Sequence, residues 1–221
     1  ENISDDFIEI VSDLKYLSGK KVLSEFVKNP SDENKHLLTE EYIAFCAHEE
    51  FYDQIRFIDT AGKELIKVKY NNGDPYFAEN EYLKNRFNEE YFISTIVLEK
   101  KEIYISPFEL QAIDGEIEYP INPVIRIATP VFNEIGERRG IVILNYAADE
   151  ILQKLDLPSL NTVGTLMLLN ENGYWLKGAD ADVEWAFMYP DKIDISFKKQ
   201  YSSAWEKISH RLSGQVHIDS D

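Results

Sequence analysis

The apolar residues of this chain change their period once, and that change limits the fold more than any other feature. Over the first thirty positions they fall at Ile3, Phe7, Ile10, Leu14 and Leu17, and then at Val22, Leu23, Phe26 and Val27. Spacings of three and four line one side of an α-helix, so the pattern predicts one long amphipathic helix. Asn29-Pro30-Ser31 ends it, because proline removes a backbone donor and restricts the residue before it. The stripe suits a homodimer seam through this helix, and packing onto its own domain explains it equally well. Residues 32–50 read as a second helical region. From Gln54 the grammar becomes strand (54–59), turn with Gly62, strand (64–70) and turn with Gly73.

Beyond Pro75, aromatic and charged residues such as Tyr82, Phe87, Tyr91 and Phe92 show helical spacing up to Glu102, and 104–106 reads as a short strand. Residues 108–123 read as a loop with Asp114-Gly115 and two prolines, of a length that suits a lid or flap. Residues 124–132 and 140–146 form an antiparallel hairpin with a longer turn, 149–155 a helix and 156–161 a connector. Residues 164–170, a turn at Gly173 and residues 174–178 then repeat the grammar of 54–70. The expected fold is α+β, with two related units built on antiparallel sheets.

Composition narrows the function. Of 221 residues, 23 are Lys or Arg and 40 are Asp or Glu, a formal charge of −17 that repels phosphate backbones and anionic lipid surfaces. Nucleic acid is not an expected partner. Cys46 is the only cysteine, which excludes an intramolecular disulfide framework and a cysteine-based zinc cluster. No stretch approaches 18 consecutive apolar residues, and the opening residues lack the basic and apolar regions of a signal peptide. The chain starts inside a helical pattern and stops at 217–221 as a strand begins, so both ends read as cuts. Signatures of nucleophile elbows, phosphate loops, dinucleotide turns, zinc helices and EF-hands are all missing, and neither catalysis, a cofactor nor a metal is expected.

The informative residues are polar ones inside apolar strands. Arg56 interrupts Ile55-Arg56-Phe57-Ile58 and Arg126 interrupts Ile125-Arg126-Ile127. A guanidinium among apolar neighbours is costly unless it meets an anion or a dense set of acceptors. Its planar fork matches a carboxylate, so a small carboxylate ligand is one candidate occupant. The competing readings are pairing with an internal acidic residue and a place on a solvated face. Tyr104, Ser106, Thr129 and Asn145 complete the candidate ligand-binding set. Strand alternation puts Arg126 with Val124 and Ala128, and Thr129 with Ile125 and Ile127. Trp175, Trp185, Phe187, Tyr189 and Trp205 read as the core of the second unit, and the acidic run 180–184 as a solvated loop.

Taken in order, the long N-terminal helix, QIRFIDTAGKELIKV (54–68), YISPFEL (104–110), VIRIATPVFNEIGERRGIVILNY (124–146), LLNENGYWLKG (168–178) and WAFMYPD (185–191) resemble the double Cache family, also called PDC-type or tandem PAS-like sensors. The resemblance implies a helical region (1–50), a membrane-distal PAS-like module (51–155) and a membrane-proximal one (156–221) that ends before its last strands. It implies the periplasmic or extracellular portion of a membrane receptor. The membrane would be reached only through transmembrane helices outside these residues. A sensor histidine kinase is the implied output more often than a diguanylate cyclase. A small-molecule ligand is expected in the distal module, among residues 56–145. The spaced Tyr, Arg, Trp, Tyr and Asp motif of the amino-acid-binding subgroup is not evident. The alternative is an interaction module that senses through a periplasmic protein partner.

Overall fold

The N-terminal apolar stripe is carried by two helices rather than one: α1 (Ile3–Ser18) and α2 (Lys21–Lys28). The Gly19 N–H closes the first on the carbonyls of Lys15 and Tyr16 at 3.0 and 3.2 Å, and Lys20 is extended before the second begins. Glycine destabilises a helix interior, so the apolar periodicity runs on while the backbone does not. α3 (Asp32–His48) starts on the side chain of Ser31, whose Oγ accepts from the Asn34 N–H at 3.2 Å. That cap satisfies one of the donors a helix leaves open at its start.

A computed structural model describes residues 3–71, 73–113, 115–155, 166–178 and 180–216. The connector expected at 156–161 and the strand expected to begin at 217–221 lie outside these. Two compact units emerge. Unit 1 is Glu1–Ser106 with Val124–Ala147, and unit 2 is Pro107–Pro123 with Ala148–Asp221. The chain therefore passes from one unit to the other three times, where the sequence reading set a single boundary between the modules.

In unit 1, β1 (Tyr52–Asp59) and β2 (Glu64–Asn71) flank a tight turn. Asp59 Oδ1 accepts the N–H groups of Ala61 and Lys63, both at 2.9 Å, and Gly62 takes φ +79°. β3 (Asp74–Phe77) follows directly as an edge strand. Helical spacing beyond Pro75 thus gives way to a strand, since Pro75 has no N–H to donate and tolerates an edge. A single 3₁₀ turn (Asn80–Tyr82) and α4 (Glu90–Ile96) are the helical pieces before the short β4 (Tyr104–Ile105). Three short strands of unit 2 come next, β5 (Glu109–Leu110), β6 (Ala112–Ile113) and β7 (Glu116–Ile117). The chain then returns as β8 (Pro123–Phe132) and β9 (Arg138–Ala147). The sheet path is β3-β2-β1-β9-β8-β4, antiparallel throughout.

Both faces of this sheet are covered, which is why β8 and β9 are buried at nearly every position rather than at alternate ones. One face meets the N-terminal helices. Phe26 of α2 stands edge-on to Phe57, and Tyr52 packs on Phe45 of α3 while its hydroxyl donates to Asp13 of α1 at 2.7 Å. The other face meets α4, whose Tyr91 and Phe92 are buried with Ile58, Ala128, Ile141 and Ile143. Phe92, Ile58, Ile141 and Ile143, fully buried, contribute about 1.5–3 kcal/mol each.

Unit 2 rebuilds the same turn on a smaller scale. β10 (Leu168–Leu169) and β11 (Trp175–Lys177) pair antiparallel. Between them Asn170 Oδ1 accepts from Asn172 and Tyr174, both at 3.0 Å, with Gly173 at φ +81°. Leu110 is buried with Leu152 of α5 (Asp149–Lys154), Leu176 and Trp185, so the segment read as a lid contributes to the unit 2 core. Trp175 is buried with Phe197 of α6 (Phe197–Gln200) and Ala204 of α7 (Ser202–Ile208).

Candidate functional site

Strand register decides which polar side chains share a face. Arg56 stands opposite Lys67 on β2 and Ile143 on β9, Asn145 stands opposite Gln54 and Arg126, and Tyr104 of β4 stands opposite Ala128. Directly opposed residues point to the same side of a sheet. Arg56, Lys67, Asn145 and Arg126 therefore lie together on the α4 side.

The guanidinium of Arg56 is the centre of this group. Its Nη1 donates to the Tyr91 hydroxyl at 3.0 Å and to Glu64 Oε1 at 3.3 Å, and its Nη2 donates to Asn145 Oδ1 at 2.8 Å. Its Nε is buried and has no hydrogen-bond partner. The Tyr91 ring takes both arginines, with the guanidinium carbon of Arg56 5.0 Å and that of Arg126 5.5 Å from its centroid. Cations are drawn to the electron-rich ring face, so one tyrosine holds two like charges near each other.

Glu64 is fully buried and ties the group to the segment before α4. Its Oε1 also accepts from Arg86 Nε at 3.0 Å, and its Oε2 from the Lys84 N–H at 2.9 Å. Burial alone would raise its carboxyl. The nearby Arg56, Lys67 and Arg86 charges and the Lys84 N–H outweigh that and hold it below its usual range. Gly62 allows the close approach of the same segment, since a Cβ there would lie 2.6 Å from the Phe87 Cα. Lys67 is 9% exposed, and among the described residues no hydrogen bond or ion pair reaches its Nζ. Burial pushes its ammonium down to about 8, with Arg56, Lys69 and Arg86 adding to the depression and Glu64 opposing it.

Of the candidates from sequence, Arg56, Asn145 and Arg126 come together. Tyr104 packs against the buried cluster that contains Tyr91 and Phe92. Ser106 extends the pairing of β4, its Oγ accepting from the Arg126 N–H at 2.9 Å and its own N–H donating to the Arg126 carbonyl at 2.8 Å. Thr129 does not join them: alternation along β8 turns it to the opposite face, where its hydroxyl donates to the Glu102 carbonyl at 2.7 Å. Glu64, Lys67, Arg86 and Tyr91 were not among the site candidates from sequence, where Tyr91 figured only in a helical pattern. Counting register through the Gly62 turn places Lys67 across from Arg56, but no local signal announces Tyr91 or Arg86. A separate cleft of about 610 Å³ lies between α3 and β2–β3, lined by Asp32, Lys35, Glu40, Phe77 and Glu81 among others. Of the constellation only Lys67 is among its lining residues; neither Arg56 nor Arg126 lines it. Among the described residues no group of three or more metal-ligating side chains occurs, and no helix is long and apolar enough to cross a membrane.

The chain belongs to the bacterial histidine kinase sensor domain family, whose sequence model matches residues 3–221. Solved structures agree. The extracellular domain of a protein assigned as the histidine kinase vpHK1S-Z8 is 25% identical with a TM-score of 0.76, over 96% of this chain and 75% of that one. A domain of a sensory box/GGDEF family protein from Vibrio parahaemolyticus is also 25% identical, with a TM-score of 0.76 over 96% of this chain and 78% of that one. The sensory domain of the Campylobacter jejuni chemoreceptor Tlp3 shares the fold at 11% identity, with a TM-score of 0.60 over 93% of this chain and 73% of that one. No protein of curated function matches the sequence. The protein is thus an extracellular-type sensor domain of α+β, Cache-like fold, a signal-transduction module.

Proposed function

We propose that this domain reports the reversible binding of a small anionic molecule in unit 1, on the sheet face beneath α4. The observation that carries the reading is the convergence of Arg56 and Arg126 on the Tyr91 ring, two guanidinium groups brought beside Asn145 on a buried face. Structural neighbours have been solved with small ligands, Tlp3 with isoleucine and the Pseudomonas aeruginosa chemoreceptor PctC with GABA, which supports a ligand in this fold. Tyr104 and Ser106 would border the ligand, while Thr129 would support the strand from behind.

Binding changes output only if the ligand has different affinity for two packings of the domain. In the receptor that signal would pass through transmembrane helices to a histidine kinase, from a domain on the periplasmic or extracellular side of an inner or plasma membrane. A homodimer through α1 and α2 would bring two such outputs together. A diguanylate cyclase output is the second reading, favoured by the GGDEF family neighbour.

The test is a thermal-shift screen of the domain against small carboxylates, amines and amino acids, repeated with Arg126→Ala. A carboxylate that raises the melting temperature of the wild type and not of a folded Arg126→Ala variant supports the reading. If no small molecule shifts the midpoint, the domain senses through a protein partner instead.

A further inference from the structure

Arg56 has no counter-ion to itself. Among the described residues its bonded partners are the Tyr91 hydroxyl at 3.0 Å, the Asn145 amide oxygen at 2.8 Å and Glu64 at 3.3 Å, and of these only Glu64 is charged. That carboxylate is divided. Its Oε1 also accepts from Arg86 Nε, at the shorter distance of 3.0 Å, and its Oε2 accepts from the Lys84 N–H at 2.9 Å. Arg86 has a second carboxylate, Glu89 Oε1 at 3.4 Å, whereas Arg56 has only its share of Glu64.

Glu64 and Arg56 are 0% and 3% exposed, so salt and solvent screen the pair little. A buried carboxylate acts on such a guanidinium in two opposing ways. With the site empty it spares the interior an uncompensated cation, a strongly destabilising element. Toward an anion arriving at the same guanidinium it is a like charge at close range, and like charges in a low-dielectric interior repel. Arg56 Nε, buried and without an acceptor, is the donor that the chain leaves unused for such an anion. Burial raises the Glu64 carboxyl, but Arg56, Lys67, the Lys84 N–H and Arg86 together hold it below its usual range, so it is charged throughout the neutral pH range.

We propose that Glu64 is an internal counter-ion that sets the affinity of this site for anions from within, holding Arg56 when the site is empty and weakening the grip on any carboxylate that reaches the same guanidinium. This rests on the reading of the face beneath α4 as a site for a small anion. Glu64 acts through Arg56 and touches no ligand. A neutral residue in its place gives a less stable domain that binds anions more tightly.

The opposite sign follows if Glu64 only fastens the chain. The carboxylate joins β2 to the segment before α4 through Arg86 and the Lys84 N–H. Were that its whole role, its loss would loosen α4 and with it Tyr91, whose hydroxyl holds Arg56. Anion binding would then weaken together with stability. Affinity and stability moving in opposite directions is therefore the mark of the internal counter-ion.

The experiment is calorimetric titration of the 221-residue protein with acetate, succinate and inorganic phosphate at pH 7, together with thermal melting. Wild type is compared with Glu64→Gln, Glu64→Asp, Glu89→Gln and Arg86→Met. Glu64→Gln is expected to melt lower than wild type and to bind the best of the three anions about tenfold tighter, the effect of one like charge removed at close range. Glu64→Asp keeps the charge and is expected to stay within about threefold of wild type, as is Glu89→Gln, whose carboxylate is half exposed and screened. Glu64→Gln no tighter than wild type, or Glu64→Asp tightened as much as Glu64→Gln, overturns the proposal and leaves the Arg56–Arg126 reading standing. If Glu64→Gln does not fold, Arg86→Met decides. With Arg86 gone, Glu64 Oε1 belongs to Arg56 alone and anion binding is expected to weaken by about threefold or more, an unchanged affinity overturning the proposal. Silence of all three anions on wild type and variants alike overturns the anion reading of the site as well.

Discussion

Arg56 and Asn145 are 89 positions apart in the chain and 2.8 Å apart in the fold, the guanidinium Nη2 donating to the amide oxygen across the β1–β9 pair. The bond leaves Arg56 with one orphaned nitrogen, its Nε. Replacing Asn145 by Leu removes the acceptor and leaves a second buried donor open. The expected loss is about 2 kcal/mol, the size typical for a hydrogen bond to a charged group, read as a lower urea midpoint. A midpoint unchanged in Asn145→Leu would show that the bond adds nothing to stability.

Glu64→Gln tests the internal ion pair. The substitution keeps the shape but leaves Arg56 and the largely buried Arg86 without their shared counter-charge, Arg86 keeping only its contact with Glu89 at 3.4 Å, at an expected cost of about 3 kcal/mol near neutral pH. Because the folded state holds the Glu64 carboxyl below its usual range, its contribution is complete above the unfolded value and is lost as pH falls through the folded one. The stability curves of wild type and Glu64→Gln should therefore converge at acid pH, and a constant gap across the range would contradict the assignment.

Asp13 and Tyr52 give the opposite sign. Burial raises the Asp13 carboxyl and the Tyr52 hydroxyl lowers it in part. Ionisation of Asp13 thus costs stability as pH rises from its unfolded value to its folded one, and Tyr52 limits that cost. Tyr52→Phe is expected to lose about 2 kcal/mol at pH 7 and about half of that once Asp13 is protonated. Denaturation at pH 7 and pH 3.5 measures both, and a loss that grows on acidification would refute the argument.

Thr129→Val separates the two faces of the sheet. The variant loses the hydroxyl bond to the Glu102 carbonyl, worth about 1 kcal/mol. Since that bond lies on the face away from Arg126, the ligand-induced rise in melting temperature should match the wild type. A variant with normal stability and no ligand response would place Thr129 in the binding site after all.

Much of the framework was legible locally. The hairpin of 124–132 and 140–146 reads from its apolar runs, and the turns at Gly62 and Gly173 read from an Asp or Asn set three residues before a glycine. The break at Gly19 was not legible, because periodicity reports which side is buried and is indifferent to one residue that leaves the helix. Nor was the strand at 74–77, where charged and aromatic residues share a short edge. The place of 107–123 in unit 2 was equally hidden, since it depends on Leu110 meeting Leu152, Leu176 and Trp185, residues far along the chain.

The cationic group divides in the same way. That Arg56 and Arg126 interrupt apolar strands, and that Arg126 and Thr129 face opposite sides, follow from alternation alone, a property of each strand by itself. That Arg56 is held by Glu64, Tyr91 and Asn145, with Lys67 across from it, was decided by strand register and by where α4 packs. Periodicity is a property of neighbours in sequence, whereas these partners come from separate elements and meet only because burying both faces of one sheet forces them together.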